Sequence, residues 1–221
     1  ISLEAGTGRP FNPMVNAGAI TICALIYREL KDDALEFVLD RFSKAAGRRL
    51  RISDPVYRSE CVTGHRNRAI GHLLLTVGAA REPIEPALDL YFKQCSILVN
   101  AADLARMGAT LANIGQNPFT QESVFDVAAV RDTLSVMFTC GMYDYSGNWA
   151  VDVGIPAKSG VGGGVVGVVN RQLGIGTFSP RLDDKGNSVR GLKAFQELAD
   201  EFGLHAFECT NYGSEFMRSL A

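Results

Sequence analysis

Three short stretches carry side chains that could act on a small molecule. Lys158-Ser159-Gly160 is expected to open a glycine-rich strand. At the edge of a sheet such a segment suits acyl transfer: the cation helps electrostatically, and glycines let a substrate approach backbone N–H groups able to serve an oxyanion. The same tripeptide also opens ordinary strands. Cys140 to Gly147 leaves a helix through a turn that carries Tyr143 and Tyr145, and a phenol there can carry a proton or simply pack. Asn12 to Ile20 sets two amides just before an apolar helix, where the plain expectation is that Asn16 caps its N-terminus.

Other patterns exclude more than they suggest. Gly162-x-Gly164-x-x-Gly167 has dinucleotide-binding spacing, but it lies inside a strand-like run followed by another, where a pyrophosphate needs a helix N-terminus. His65, His72 and His205 form no His-Glu-x-x-His arrangement and there is no Cys-x-x-Cys, so no metal and no cofactor is expected. Lys44, Arg48, Arg49 and Arg51 read as a solvated helix end. Twenty-two Lys plus Arg against 24 Asp plus Glu give a net charge of −2, which supplies no electrostatic footprint for nucleic acid or an anionic membrane. The longest uncharged stretch, Pro10 to Tyr27, holds two prolines, two asparagines and a glycine, a poor membrane span. Five cysteines (Cys23, Cys61, Cys95, Cys140, Cys209), odd in number and set in apolar runs, read as reduced core thiols of a soluble, cytoplasmic protein.

The elements that must position these groups are mostly helices. Gly18 to Leu30 is an apolar helix. Asp32 caps a second through Ala46, with Leu35, Val38, Leu39 and Phe42 as its stripe and Gly47 as its stop. Pro55 to about Leu75 is a longer helix, broken near Gly64. Asn100 and Asp103 open a further helix with a capping box, and Leu104, Met107 and Leu111 run down one side. Val127 to Thr139 and Ser188 to Phe202 complete the set, closed by Gly141 and Gly203. Ten of the 23 glycines fall between Gly141 and Gly176, around a Val-rich run, Val161 to Val169, and an apolar run, Leu173 to Phe178, that flank Asn170-Arg171-Gln172, the signature of a β-hairpin whose small residues suit a substrate-facing backbone. With 221 residues, 47% apolar and 21% charged, the expectation is one α/β (α+β) domain over residues 1–221, helices packed on an antiparallel sheet.

Lys158-Ser159-Gly160 also matches a signature of the serine β-lactamase and penicillin-binding group. Five further segments stand with it: Asn12 to Ile20, Tyr91 to Ser96, Met107 to Gly115, Cys140 to Gly147, and Phe178 to Asp183 with Gly186-Asn187-Ser188. In that order, from about Arg9 to about Phe207, they resemble the serine-dependent glutaminases, in particular the bacterial single-domain form. The resemblance implies a β-lactamase-like fold and hydrolysis of L-glutamine to L-glutamate and ammonia through a glutamyl-serine ester. It further implies that Asn16 contacts substrate, that Glu60 and Asn67 hold the amino-acid end, and that Tyr91, Tyr143 and Lys158 are catalytic, which tyrosine is the base being open. Val161 is implied to complete the oxyanion hole through its backbone N–H, and the protein to be a homo-oligomer, dimer or tetramer. The residue types agree with these roles, because a carboxylate suits an α-ammonium and amide N–H donors suit an α-carboxylate.

One part of the family pattern is missing. The nucleophile belongs to a Ser-x-x-Lys motif, and no Ser here has Lys three residues on. The chain also starts Ile1-Ser2-Leu3-Glu4, like the middle of a protein. The expectation is that the motif lies upstream of Ile1 and that residues 1–221 are the C-terminal portion of the domain. Two other functions stay open: a non-catalytic glutamine- or glutamate-binding module that keeps Asn16, Glu60 and Asn67, and an acyl-transfer enzyme for a β-lactam or ester. Glu60 and Asn67 argue against the latter, since a lactam has no free α-ammonium to pair.

Overall fold

The computed structural model describes residues 3–81 and 83–208, so Cys209 lies outside the described residues. The chain divides into two compact units, the first made of the residues up to Ser43 with Arg49–Leu98, the second of Lys44–Arg48 with the chain from Val99 on.

The first unit is helical. Its elements are α1 (Asn16–Leu30), α2 (Ala34–Ala46, whose last residues count with the second unit), α3 (Asp54–Thr63), α4 (His65–Thr76) and α5 (Glu85–Cys95). Asp32 does not cap α2; it lies in a one-turn 3-10 helix, Lys31–Asp33, that runs straight into it. Gly64 separates α3 from α4, as its place in the sequence suggests. Helix α5 shows no clear stripe in the sequence because Leu88, Leu90, Tyr91 and Phe92 are all buried, on adjoining faces of the helix. Against α5 pack α1 and α3, and the core joins Ile20, Cys23, Leu74, Ile84, Leu88 and Phe92. Full burial of each large apolar side chain contributes about 1.5–3 kcal/mol. Gly18 admits the closest approach: a Cβ there would stand 2.1 Å from the Pro13 carbonyl oxygen, so the Asn12–Asn16 turn folds onto α1 only over glycine.

In the second unit a three-stranded antiparallel sheet, order β1-β2-β3, is built from β1 (Ala157–Ser159), β2 (Gly164–Val169) and β3 (Leu173–Phe178). Lys158-Ser159-Gly160 therefore does not open the glycine-rich strand. It forms its own strand, with Lys158 opposite Val166, and a tight turn through Gly163 leads into β2. The Gly162-x-Gly164-x-x-Gly167 pattern runs from this turn into a strand, not a helix. Helix α6 (Ala101–Ala112) covers one face of the sheet, and α9 (Val189–Phe202) covers the other, where Phe195 meets Gly167. Helices α7 (Val127–Cys140) and α8 (Ser146–Asp152) complete the unit. Several glycines serve this packing rather than a substrate: a Cβ on Gly174 would lie 2.1 Å from the Ala109 nitrogen, and one on Gly176 2.2 Å from the Ala101 oxygen. The core is Trp149, Phe195, Ile155, Val165 and Met142, and Trp149 Nε1 donates to the Ile155 carbonyl at 2.6 Å.

Local signals hold well here. Asn100 and Asp103 form the expected capping box, each backbone N–H bonded to the other's side chain at 2.9 Å. Ser188 caps α9, and Gly203 closes it in the left-handed conformation. Arg48 departs from its reading as a solvated helix end: it forks onto the buried Asp103 (Nε–Oδ1 2.7 Å, Nη2–Oδ2 2.5 Å) and holds that carboxyl below its ordinary range. The cysteines are not all core thiols either. Cys23 is buried, Cys61 and Cys140 are half-buried and Cys95 is exposed. None of these four is in a disulfide. Among the described residues no helix is long and apolar enough to cross a membrane.

Candidate active site

In the first unit Asn16 and Asn67 are joined directly, and Glu60 lies within electrostatic reach of Tyr91. Asn16 opens α1 but does not cap it. Val15 takes the cap position, and Asn16 Nδ2 instead donates to Asn67 Oδ1 at 2.8 Å, across 51 residues of sequence. The bond uses the Asn67 oxygen and leaves its two N–H donors unspent by Asn16. Glu60 stands in the last turn of α3, and its carboxylate is felt at Tyr91 and Cys95 on α5. Helix α3 is held to α5 by the Tyr57 hydroxyl, which donates to Asp89, and Asp89 also pairs with Lys93 at 2.7 Å. Tyr91 is buried, and its desolvation, with Cys95 and Glu60 adding, pushes its hydroxyl far above the ordinary range. It holds its proton and acts as a hydrogen-bond donor. Behind it the Cys23 thiol is pushed up to about 12, chiefly by burial.

The second unit carries Tyr143, Lys158 and Val161 together. Tyr143 sits just after α7 in a 3-10 turn, Tyr143–Tyr145, with φ of 54°, a conformation side-chain-bearing residues rarely adopt. Ser146 pins that turn: its Oγ accepts from the Met142 N–H at 3.0 Å and donates to the Tyr143 carbonyl at 2.8 Å. Lys158 Nζ lies 4.3 Å above the Tyr143 ring centroid and donates to the Ser159 carbonyl. Burial lowers the Lys158 ammonium to about 8, so its proton becomes exchangeable near neutral pH. Burial raises the Tyr143 hydroxyl, and the Val161 backbone N–H donated to it pulls it partly back. The Val161 side chain is 72% exposed, so only its backbone is engaged. Ser159 points the other way: it is fully buried and its Oγ has no hydrogen-bond partner. Ser146 lay in a stretch singled out in the sequence, yet a hydroxyl bonded to two backbone groups has no signature of its own there.

Each unit thus presents a different chemistry, a carboxylate with paired amides in one, and a phenol, a depressed ammonium and a backbone N–H in the other. Known proteins match the chain that carries them. The family model described as Glutaminase matches residues 1–207. The chain is 55% identical over 207 residues to the glutaminase of Microcystis aeruginosa, covering 94% of the chain and 61% of that protein. To the glutaminase of Nostoc sp. it is 51% identical over 214 residues, covering 97% and 64%. Among solved structures, Mglu in its glutamate form is similar with a TM-score of 0.89 at 42% identity, covering 94% of this chain and 48% of that one. The Bacillus subtilis glutaminase in covalent complex with 5-oxo-L-norleucine is similar with a TM-score of 0.84 at 38% identity, covering 90% and 70%. Helices packed on an antiparallel sheet are the β-lactamase-like fold of these bacterial glutaminases. The chain spans 61% and 64% of the length of the two curated relatives. With nearly its whole length matched, this chain belongs to the glutaminase family.

Proposed function

We propose that the protein hydrolyses L-glutamine to L-glutamate and ammonia. A serine oxygen adds to the side-chain amide carbon, the C–N bond breaks as ammonia takes a proton, and water then cleaves the glutamyl ester to glutamate and free serine. The Ser-x-x-Lys pair this requires is not among the 221 residues, and we propose that it precedes Ile1 in the same β-lactamase-like domain. Within the chain, Glu60 would pair the α-ammonium, Asn16 and Asn67 would set amide donors for the α-carboxylate, and Tyr91 would donate near the reacting amide. Tyr143 and Lys158 would move the proton between serine and leaving nitrogen, with Lys158 the readier to exchange it. The Val161 N–H, which donates to the Tyr143 hydroxyl in the free protein, would turn to the oxyanion once substrate is bound.

The observation that carries this reading is the Tyr143–Lys158 contact at 4.3 Å, with the ammonium lowered to about 8. A module that only binds glutamine has no use for such a group. Support for a cytoplasmic setting is the odd number and wide spacing of the cysteines. The dimer or tetramer rests on the family resemblance. The test is ammonia release from L-glutamine by the full-length protein, with formation of L-glutamate in equal amount. Binding of glutamine without release of ammonia would replace the enzyme by the binding module.

A further inference from the structure

The Gly186-Asn187-Ser188 segment belongs to the family pattern, yet none of its side chains takes a step in the proposed reaction. It lies beside Tyr143. A Cβ on Gly186, whose φ is 90°, would stand 3.6 Å from Val161 Cγ1 and 3.8 Å from Tyr143 Cε2, so this turn lies along the edge of the tyrosine ring while Lys158 covers its face. Asn187 is fully buried and its Nδ2 donates to the Met142 carbonyl at 3.4 Å, one residue before Tyr143. Its Oδ1 has no hydrogen-bond partner. A buried amide with an unpaired oxygen is a standing cost, and an apolar residue of similar shape would avoid it, so the amide is present for its N–H.

Asn187 is itself fixed from both sides. Its backbone N–H donates to Asp183 Oδ1 at 2.8 Å, and its carbonyl accepts from the Asp183 N–H at 2.8 Å. The next residue, Ser188, caps α9, whose Phe195 is anchored in the core. A backbone conformation such as that of Tyr143 persists only where its surroundings over-determine it. Ser146 restrains it from the following turn, and Asn187 restrains it from the α9 side.

We propose that Asn187 is a positioning residue for the glutaminase reaction, holding through the Met142 carbonyl the strained turn that presents Tyr143 to Lys158 and to the Val161 N–H. This rests on the glutaminase reading above, but Asn187 touches neither the Tyr143 hydroxyl nor the Lys158 ammonium. It acts on the geometry of the turn alone.

The test uses the full-length protein with Asn187→Ala and the isosteric Asn187→Asp, which at neutral pH cannot donate to Met142. Either variant lowers kcat about 10- to 100-fold with KM within about threefold, because misplacement of a reacting group costs rate rather than binding. In a Tyr143→Phe background the same change costs less than about threefold, since Asn187 works through that residue. Equal losses in both backgrounds, or full kcat in the single variants, would overturn the proposal. Loss of folding in both Asn187 variants would overturn it too, by showing a global role. A readout independent of activity is the fluorine resonance of 3-fluorotyrosine placed at position 143. It shifts and broadens in Asn187→Asp if the turn is released, and an unchanged resonance contradicts the proposal. If the protein released no ammonia at all, the function would fail, while this resonance would still decide whether Asn187 holds the turn.

Discussion

The two units assemble their polar groups by opposite means. In the first, Asn16, Glu60, Asn67 and Tyr91 project from regular helices, and each is aimed by ordinary packing: a break at Gly64, a clasp of Tyr57 on Asp89, a bond between two amides. In the second, Tyr143 and Val161 lie in irregular turns beside a short strand, and one of them has a backbone conformation that costs about 1–3 kcal/mol. Groups that only recognise an amino acid tolerate small shifts, because charge and hydrogen bonds reach over a range of geometry. Groups that move a proton do not. Strain therefore falls at the turn-borne groups for which proton transfer is proposed, while the recognition proposed for Asn16, Glu60 and Asn67, and the donation proposed for Tyr91, fall to regular helices.

Breaking the second unit's side of this contrast should have the largest effect. Tyr143→Phe lowers kcat about 100- to 10,000-fold with little change in KM, read by steady-state ammonia release. Trp149→Ala removes the core beneath the turn and costs about 3–5 kcal/mol, measured as a loss of stability in urea unfolding of the full-length protein. The pH profile sharpens the role of Lys158. Its pKa is about 8 in the folded protein, below the ordinary lysine value near 10.4, so the unfolded chain holds more protons between these values and this group adds stability as pH rises through that window. Activity moves the other way: kcat falls above about pH 8 as the ammonium is lost, and Lys158→Arg removes that descending limb. In the first unit, Asn67→Ala raises KM about fivefold, the worth of a single hydrogen bond, with kcat unchanged. Val161→Ala is the smallest, within about twofold, because the side chain is exposed and the N–H is retained.

What could be read beforehand was local. The capping box at Asn100 and Asp103, the break at Gly64 and the stop at Gly203 each depend on residues within one turn. The hairpin around Arg171 was legible for the same reason, whereas β1 was not separated from it, since the turn through Gly163 looks like more of the same strand. Long-range partners were hidden. Arg48 looked solvated because Asp103 is 55 residues on, and Asn16 looked like a cap because Asn67 is 51 residues on. The glycines of β3 looked substrate-facing because nothing in a sequence says that α6 rests on Gly174 and Gly176. Of the candidate site, the residue types and their order came from the family resemblance, while the strain at Tyr143 and the lowered Lys158 ammonium depend on burial.

The division between recognition and reaction is tested most directly by calorimetric binding of L-glutamate to the full-length protein and to its Glu60→Gln and Tyr143→Phe variants. Loss of a charge-assisted pair raises Kd at least about 30-fold in Glu60→Gln, while Tyr143→Phe stays within about threefold of the parent. Unchanged affinity in Glu60→Gln, or equal losses in both variants, would contradict the account.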